Sequence, residues 1–202
     1  MINTKFQQLC QTPSDINEHL PTLAKYAQQA EVILEARVRS IVSTWAFMHG
    51  LNNNNSDSKT IYSVDLEWAP IQEAMQAAQQ DNIQLSFTQR DILKYTLPQK
   101  VDITFIDTLH CYGQLKRELT KFAPLTNKYI IMHDTTVDEF TGEPIRCNFN
   151  IEQMKRNTGF NDQELTLGLW PAIEEFLQTN SDWELQERFT NNNGLTILAR
   201  KD

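Results

Sequence analysis

Glycine, cysteine and basic residues are all scarce in this chain of 202 residues. It contains 6 glycines and 3 cysteines, and 18 Lys and Arg face 26 Asp and Glu, for a formal net charge of −8. The cysteines form no CxxC pair, which disfavours a zinc site and indicates reduced thiols in a cytoplasmic protein. The acidic balance argues against a nucleic acid as the main partner, because duplex binding depends on clustered Lys and Arg.

Long apolar runs are also missing. No stretch approaches the ~20 apolar residues of a membrane-spanning helix, so no membrane span is expected. The opening residues MINTKFQQLC lack the basic and apolar regions of a signal peptide. With 40% hydrophobic and 22% charged residues, the composition is typical of a soluble globular protein. The sequence therefore predicts one domain over residues 1–202 and leaves the oligomeric state open.

Strand-like and helix-like segments alternate along the chain. Short apolar runs are separated by stretches with helical spacing, and the Asn-rich segments 51–59 and 191–194 have the composition of turns. This alternation predicts a mostly parallel sheet with helices on both faces. The expected strands are 31–34, 60–64, 83–88, 101–106, 129–132, 183–189 and 195–200. The expected helices are 22–29, 42–49, 68–80, 112–123 and 171–178, with a loop or short helix at 91–95.

Acidic residues follow four of these predicted strands. They are Glu35, Asp65, Asp107 and Asp134. Parallel strands place their carboxyl ends at one edge of a sheet, and α/β folds bind ligands at that edge. The four acids are therefore predicted to lie along a common rim.

The residues near the first three strands allow both a ligand-binding and a structural interpretation. Asp65 can accept hydrogen bonds from a ribose diol or cap the next helix. Ser43 and Thr44, which follow Glu35, suit a ligand carboxylate or a helix cap, and Asp91 suits an adenine amino group or a cap. On the residues alone, capping is favoured for Ser43, Thr44 and Asp91.

The next two strands each end on an acid and an imidazole. DITFIDTLH supplies Asp107 and His110, and YIIMHD supplies His133 and Asp134. Carboxylates beside an imidazole suit Mg²⁺ or Mn²⁺, or an acid–base pair in which the carboxylate raises the pKa of the His. A purely structural polar network is the alternative, but four such residues at one rim favour a functional site.

With these motifs in place, the chain resembles class I S-adenosylmethionine-dependent methyltransferases. Within them it is similar to the sugar O-methyltransferases of the macrocin type and the related cephalosporin-hydroxylase-like proteins. It also resembles the methyltransferase part of longer glycan-building proteins of large algal viruses. The similarity is carried by SDINEHLPTL, by VRSIVSTWAF, by FIDTLHCYGQLKREL with YIIMHDTT, and by GLWPAIEEFL with WELQERFTNNNGLTILAR.

The resemblance implies a Rossmann-like α/β sandwich whose seven-stranded sheet is mostly parallel, with an antiparallel last strand. It implies S-adenosylmethionine as cofactor over the first strand ends. In that arrangement Glu35 and the turn containing Ser43 and Thr44 hold the methionine part, Asp65 holds the ribose and Asp91 lies on the adenine side.

The resemblance also implies a methyl acceptor and a metal. The acceptor is a hydroxyl of a small molecule or glycan, such as a deoxyhexose, and Asp107 or His110 removes its proton. A divalent cation, Mg²⁺ or Mn²⁺, is implied on Asp107 and Asp134, with His133 as a further ligand. Trp170 is expected either to stack on the acceptor or to fill the core.

One feature of the sequence departs from the family pattern, and two alternative functions remain open. EARVRS has no glycine where the family carries glycines, so Arg37 is predicted to crowd the cofactor site. One alternative is an iron-dependent oxygenase with iron on Asp107, His133 and Asp134, and another is a non-catalytic domain that binds a glycan or partner. Residues 1–30 are predicted as a helical cap, and 138–164 as an insertion or lid on the substrate side.

Overall fold

A sheet of seven strands runs through the molecule, whose computed structural model describes residues 1–201. In chain order the strands are Val32–Ala36 (β1), Thr60–Asp65 (β2), Gln84–Gln89 (β3), Val101–Ile106 (β4), Thr126–His133 (β5), Trp183–Phe189 (β6) and Leu195–Arg200 (β7). Their order is β3-β2-β1-β4-β5-β7-β6. The first five are parallel and β7 is antiparallel to both of its neighbours, which confirms the predicted fold class.

Helices cover both faces of this sheet. In the described residues they are Ile2–Gln11 (α1), Leu20–Ala27 (α2), Val42–Asn52 (α3), Gln72–Gln80 (α4), Tyr112–Phe122 (α5), Glu143–Arg146 (α6), Ile151–Thr158 (α7), Asp162–Thr166 (α8) and Leu169–Thr179 (α9). Helices α1 to α4 pack with β1, β2 and β4 in one core. Helices α5 and α9 pack with β5 and β7 in another. None of these helices in residues 1–201 has the length and apolar character needed to cross a bilayer.

The two central strands, β1 and β4, are almost entirely apolar, as VILEA and VDITFI show. Helices cover both of their faces, so the side chains that point to either face of the sheet are buried. The edge strands β3 and β6 read QLSFTQ and WELQERF and are far more polar. Strand order reverses between β1 and β4, which makes their carboxyl ends the topological switch point of the sheet.

The helix predicted over residues 68–80 begins later, at Gln72. The Asp65 carboxylate accepts a hydrogen bond from the backbone N–H of Glu67, at 3.0 Å, and so closes a turn directly after β2. Pro70 also disfavours helical backbone at Ala69, the residue before it. The prediction was wrong here because local turn chemistry overrides the apolar spacing. The resulting loop leaves Leu66 and Trp68 exposed, at 70% and 62%.

Residues 138–164, expected as an insertion or lid, fold into α6, α7 and most of α8. The segment is tied to the loop after β4, because the N–H of Glu143 donates to the carbonyl of His110 at 2.7 Å. It is tied to α9 where the N–H of Gly168 donates to the carbonyl of Phe140 at 3.0 Å. Residues 1–30 hold α1, a short turn and α2, which pack against α3.

Candidate active site at the carboxyl ends of the strands

Asp107, His110, His133 and Asp134 lie together at the carboxyl ends of β4 and β5. His110 Nε2 is 3.2 Å from Asp107 Oδ1, and His110 Nδ1 is 3.2 Å from Asp134 Oδ2. His133 Nδ1 is 3.4 Å from the same Asp107 oxygen. All four residues are buried. The structure therefore brings together the four residues that the two strand-end motifs placed at one rim.

Two further acids, Asp138 and Glu143, complete the cluster and were missed in the sequence. Asp138 Oδ2 lies 3.2 Å from His110 Nδ1, and Glu143 Oε2 lies 3.6 Å from the same nitrogen. The backbone turns back after β5, where the N–H of Asp138 donates to the carbonyl of Asp134 at 3.1 Å. The four-residue spacing of Asp134 and Asp138 was the signal in the sequence that could have found Asp138. The 138–164 segment thus contributes side chains to the site.

Arg146 fixes Asp138 in place. Its Nε donates to Asp138 Oδ1 at 2.6 Å and its Nη2 donates to Oδ2 at 2.7 Å, a bidentate pair. Burial by itself would raise the pKa of Asp138, but the hydrogen bonds from Arg146 and His110 outweigh it and lower the pKa. Asp138 is therefore ionised beside His110.

The charges of this cluster hold His110 in its protonated form. Burial alone would lower the pKa of His110, but the hydrogen bonds to Asp107 and Asp138, with the charges of Asp107 and Asp134, raise it to about 10. Burial would likewise raise the pKa of Asp107, yet its bonds to His110 and His133 hold that pKa well below its usual range. In this state the predicted base His110 is an imidazolium, while Asp107 is ionised and, because its pKa is lowered, a weak base.

Ligand atoms of Asp107, His110 and Asp134 lie within 4.8 Å of one another, a spacing that a metal ion can span. The predicted set had His133 in place of His110. His133 also lies close to both acids, with its Nδ1 3.4 Å from Asp107 Oδ1 and 3.6 Å from Asp134 Oδ1, while its Nε2 is 3.2 Å from the carbonyl of Asn192 in the β6–β7 turn. Asp134 Oδ1 is buried and has no hydrogen-bond partner within the described chain. An uncompensated carboxylate oxygen fits a cation.

Glu35, Ser43 and Thr44 form a closed network instead of facing a ligand. Ser43 and Thr44 donate to Glu35 Oε1 at 2.7 and 3.0 Å, and Ser63 donates to Oε2 at 2.7 Å. Glu35 lies inside β1 and is fully buried, and burial raises its pKa to about 7 although the three hydroxyls partly offset this. The N-cap of α3 is Ile41, so the expected capping by Ser43 or Thr44 does not occur. These residues join β1 to α3.

The turn after β1 adopts left-handed backbone without glycine. Arg37, Arg39 and Ile41 have φ of 75°, 45° and 67°. Left-handed backbone costs a residue with a Cβ about 1–2 kcal/mol, and a β-branched residue such as Ile41 is a rare occupant. This chain therefore keeps the turn at an energetic cost.

Asp65 and Asp91 both hold backbone amides. Asp65 Oδ2 accepts from the N–H groups of Val38 and Arg39, at 2.8 and 3.0 Å, and so ties the turn after β1 to the end of β2. Asp91 accepts from the N–H of Leu93 at 2.9 Å and caps a short 3-10 turn, as the capping interpretation predicted. Asp65 is half-buried at the rim.

Trp170 lies near the start of α9 and contacts other residues than the acidic cluster. Its indole Nε1 donates to Glu174 at 2.8 Å, and the guanidinium of Arg188 covers the ring at 3.8 Å from its centroid. Part of the ring packs on the core beneath α9. The Arg188 contact already covers one face of the ring, so the structure favours the packing interpretation.

Glu118 is a buried carboxyl behind His110. Its Oε1 accepts from Thr108 at 2.7 Å and Gln114 at 2.8 Å, while Oε2 has no partner within residues 1–201. It lines a cavity of ~10 Å³ together with His110 and His133, about the space of one water. Burial raises the pKa of Glu118 to about 7, against the hydrogen bonds and the charge of His110, which lower it.

Replacing Glu118 with Gln is expected to change how stability depends on pH. The folded-state pKa exceeds the unfolded value, so the stabilising contribution is complete below about pH 4.5 and is lost as the pH rises through 7. Relative to the variant, the free energy of unfolding of the wild type should fall by roughly 3 kcal/mol across this window. Urea denaturation of both proteins between pH 4.5 and 8 measures it. Parallel pH curves would contradict the assignment.

Comparison with solved structures gives the fold its name. No protein-family profile and no curated protein matches the sequence. The O-methyltransferase TomG from Streptomyces achromogenes, involved in tomaymycin synthesis and solved with S-adenosylmethionine, is 12% identical, with 98% of this chain and 90% of that chain covered and a TM-score of 0.60. The chain has the class I methyltransferase fold.

Two further neighbours have the same fold. A caffeoyl-CoA O-methyltransferase-like protein from Staphylococcus aureus is 14% identical, covers 98% of this chain and 91% of its own, and has a TM-score of 0.59. The N-methyltransferase NodS from Bradyrhizobium japonicum, solved with S-adenosyl-L-homocysteine, is 11% identical, covers 100% and 99%, and has a TM-score of 0.53. Since both O- and N-methyltransferases match, the fold alone does not determine whether the methyl acceptor is an oxygen or a nitrogen.

Proposed function

We propose that this protein transfers a methyl group from S-adenosylmethionine to a hydroxyl of a sugar or glycan, such as a deoxyhexose, with a divalent cation on Asp107, His110 and Asp134. The acid–imidazole cluster at the ends of β4 and β5 carries the proposal. It lies at the ligand-binding edge of a class I methyltransferase fold, beside the switch point between β1 and β4.

The residues after β2 fit the adenosine part of the cofactor. Asp65 Oδ1 accepts one hydrogen bond, from the N–H of Glu67, which leaves acceptor capacity for a ribose hydroxyl. The next residues expose Leu66 and Trp68, and these apolar side chains offer contacts for a flat base. Glu35, Ser43 and Thr44 support the cofactor indirectly in this proposal, by shaping the turn after β1.

The cluster also fits a divalent metal such as Mg²⁺ or Mn²⁺. Two carboxylates and an imidazole are suitable ligands, and the buried Asp134 Oδ1 forms no hydrogen bond in the described chain, with His133 Nδ1 3.6 Å away. When bound, the metal would lower the pKa of an acceptor hydroxyl. Its binding would require neutral His110, so metal affinity should rise with pH.

The task of the chain itself is to align the acceptor and remove its proton, because the cofactor brings the leaving group. We assign the hydroxyl proton to Asp107, which His110 and His133 hold ionised. The same contacts lower the pKa of Asp107, so it is a stronger base once His110 is neutral. His110 would be a second base only when it is neutral and no metal is bound to it. We also propose that Phe140 and Phe149, exposed rings on the segment that supplies Asp138, contact the acceptor.

The first test is calorimetric titration with S-adenosylmethionine and S-adenosylhomocysteine, with and without Mg²⁺ or Mn²⁺. Asp65→Ala should weaken binding at least about tenfold, because it removes the ribose acceptor and the tie that holds the Val38 and Arg39 amides. Asp57→Ala, in the exposed loop before β2, is the control.

The outcomes separate the candidate functions. Binding followed by methylation in a screen of deoxyhexose glycosides supports the proposal. Absence of cofactor binding under every metal condition would overturn it. Assays for iron- and oxygen-dependent hydroxylation and for glycan binding would then follow.

A further inference from the structure

Arg37 occupies the switch point of the sheet. It is the first residue after β1, and its Nη1 donates to the carbonyls of Thr108, at 2.7 Å, and Asp107, at 3.4 Å, in the loop after β4. The guanidinium therefore bridges the carboxyl ends of the two strands between which the order of the sheet reverses. Ligands of doubly wound α/β folds bind at this crevice.

The rest of the Arg37 guanidinium is available for an anion. Its Nε and Nη2 make no hydrogen bond, and its charge has no carboxylate partner, within residues 1–201. The side chain is half-buried, and the two carbonyls hold it through Nη1. A guanidinium anchored by one nitrogen presents the remaining donors in a fixed geometry that suits a carboxylate.

Two backbone amides of the turn, those of Val38 and Arg39, are already occupied. In glycine-rich turns, free N–H groups at this place bind anionic parts of ligands. Here the N–H groups of Val38 and Arg39 donate to Asp65 Oδ2. The Arg39 side chain is also engaged, because its Nη1 pairs with Asp15 at 2.8 Å. Arg37 is thus the cation of this turn that is free to bind a negatively charged group.

Arg37 also holds a backbone conformation that favours glycine, with φ of 75°. Keeping a long cationic residue there costs about 1–2 kcal/mol. Such strain is typical of positions where the side chain serves binding or catalysis.

We infer that Arg37 binds the α-carboxylate of the amino-acid part of the cofactor and takes over the role that amides of a glycine-rich turn have elsewhere. This inference rests on the proposed function. In this arrangement the guanidinium of Arg37, between the carboxyl ends of β1 and β4, binds the carboxylate, and Asp65 binds the ribose. Affinity should therefore depend on Arg37 only for ligands that carry the carboxylate.

The experiment compares two ligands by calorimetry. S-adenosylhomocysteine carries the amino-acid part, and 5′-methylthioadenosine shares the adenosine and thioether but lacks it. Arg37→Ala should weaken S-adenosylhomocysteine at least about tenfold, the loss expected for hydrogen bonds to a charged group, and change methylthioadenosine less than about twofold. Arg37→Lys keeps the charge and loses the two-pronged guanidinium. Its affinity for S-adenosylhomocysteine should lie between those of the wild type and Arg37→Ala.

Arg39→Ala is the matched control, because Arg39 shares the turn and the positive φ while its side chain pairs with Asp15. It should leave the ratio of the two affinities unchanged. Thermal melting checks that each variant is folded.

Each other outcome overturns the inference in a recognisable way. Equal weakening of both ligands by Arg37→Ala would assign Arg37 to the shape of the turn. Tighter binding of both would show that Arg37 obstructs the site. A wild type that binds neither ligand would overturn the proposed function and this inference with it, whereas unchanged S-adenosylhomocysteine affinity in Arg37→Ala would overturn this inference alone.

Discussion

Asp107→Asn is expected to lower the rate of methyl transfer at least about 100-fold, the scale of a lost general base. Asn keeps the shape of the side chain but removes the charge that contacts His110 Nε2 and His133 Nδ1. Cofactor affinity should stay within about twofold, because the proposed cofactor contacts lie on Asp65 and Arg37. The rate of S-adenosylhomocysteine formation with the acceptor identified in the screen measures the first effect, and calorimetric titration with S-adenosylhomocysteine measures the second. Titration with Mn²⁺ measures metal affinity, which should fall in the variant because a ligand is lost.

Asp162→Asn is the control for this prediction. Asp162 is exposed at the start of α8 and pairs with Lys155 on the surface, at 3.0 Å. The control should retain full activity and metal affinity. An Asp107→Asn variant with more than about a tenth of the wild-type rate would contradict the assignment of Asp107 as base and metal ligand.

Gly50→Ala is expected to destabilise the fold by about 3 kcal/mol. Gly50 lies in α3 where α2 passes over it, and a Cβ would meet the carbonyl oxygen of Ala24 at 2.3 Å and the Cβ of Ala27 at 2.5 Å. Neither neighbour is a flexible side chain, so the α2 backbone must shift. For a chain of this size the melting temperature should fall by roughly 10 °C, measurable by circular dichroism.

Gly159→Ala separates this packing effect from backbone strain. Gly159 ends α7 with φ of 74°, and an added Cβ would find no atom within 4 Å in the described structure. Only the left-handed backbone is then penalised, at about 1 kcal/mol. If Gly50→Ala were no more destabilising than Gly159→Ala, the close contact between α2 and α3 would be refuted.

Three strands were predicted with the bounds that the structure has, 101–106, 183–189 and 195–200, although β6 is far more polar than β4 and β7. The predicted Asn-rich turn before β7 has positive φ at Asn192, Asn193 and Gly194. The start of α4 was wrong because Asp65 forms hydrogen bonds across the loop, and apolar spacing carries no record of such bonds. Helix α1 was missed as a separate element within the expected N-terminal cap.

Some residues of the candidate site were predicted from the sequence, and others were missed. Strand-end position was enough to bring Asp107, His110, His133 and Asp134 together, but it could not show that His110 lies closer than His133 to both acids. It also missed Asp138, because that residue belongs to a segment whose path back over the site depends on contacts with α9 and the loop after β4.

The sequence by itself determined the fold class, and it placed two acid–imidazole pairs at one edge of the sheet. Alternating strands and helices form a parallel sheet, and parallel strands have their carboxyl ends at the same edge. Only the tertiary structure decided how individual polar groups are used. It turned Glu35 inward to Ser43, Thr44 and Ser63, and it set the Arg37 guanidinium across the switch point. The physical reason is that these hydrogen bonds cross from one element of the fold to another, and two of them, from Ser63 to Glu35 and from Arg37 to Thr108, join residues far apart in the chain. Packing of helices on the sheet fixes their partners, and spacing along the sequence does not.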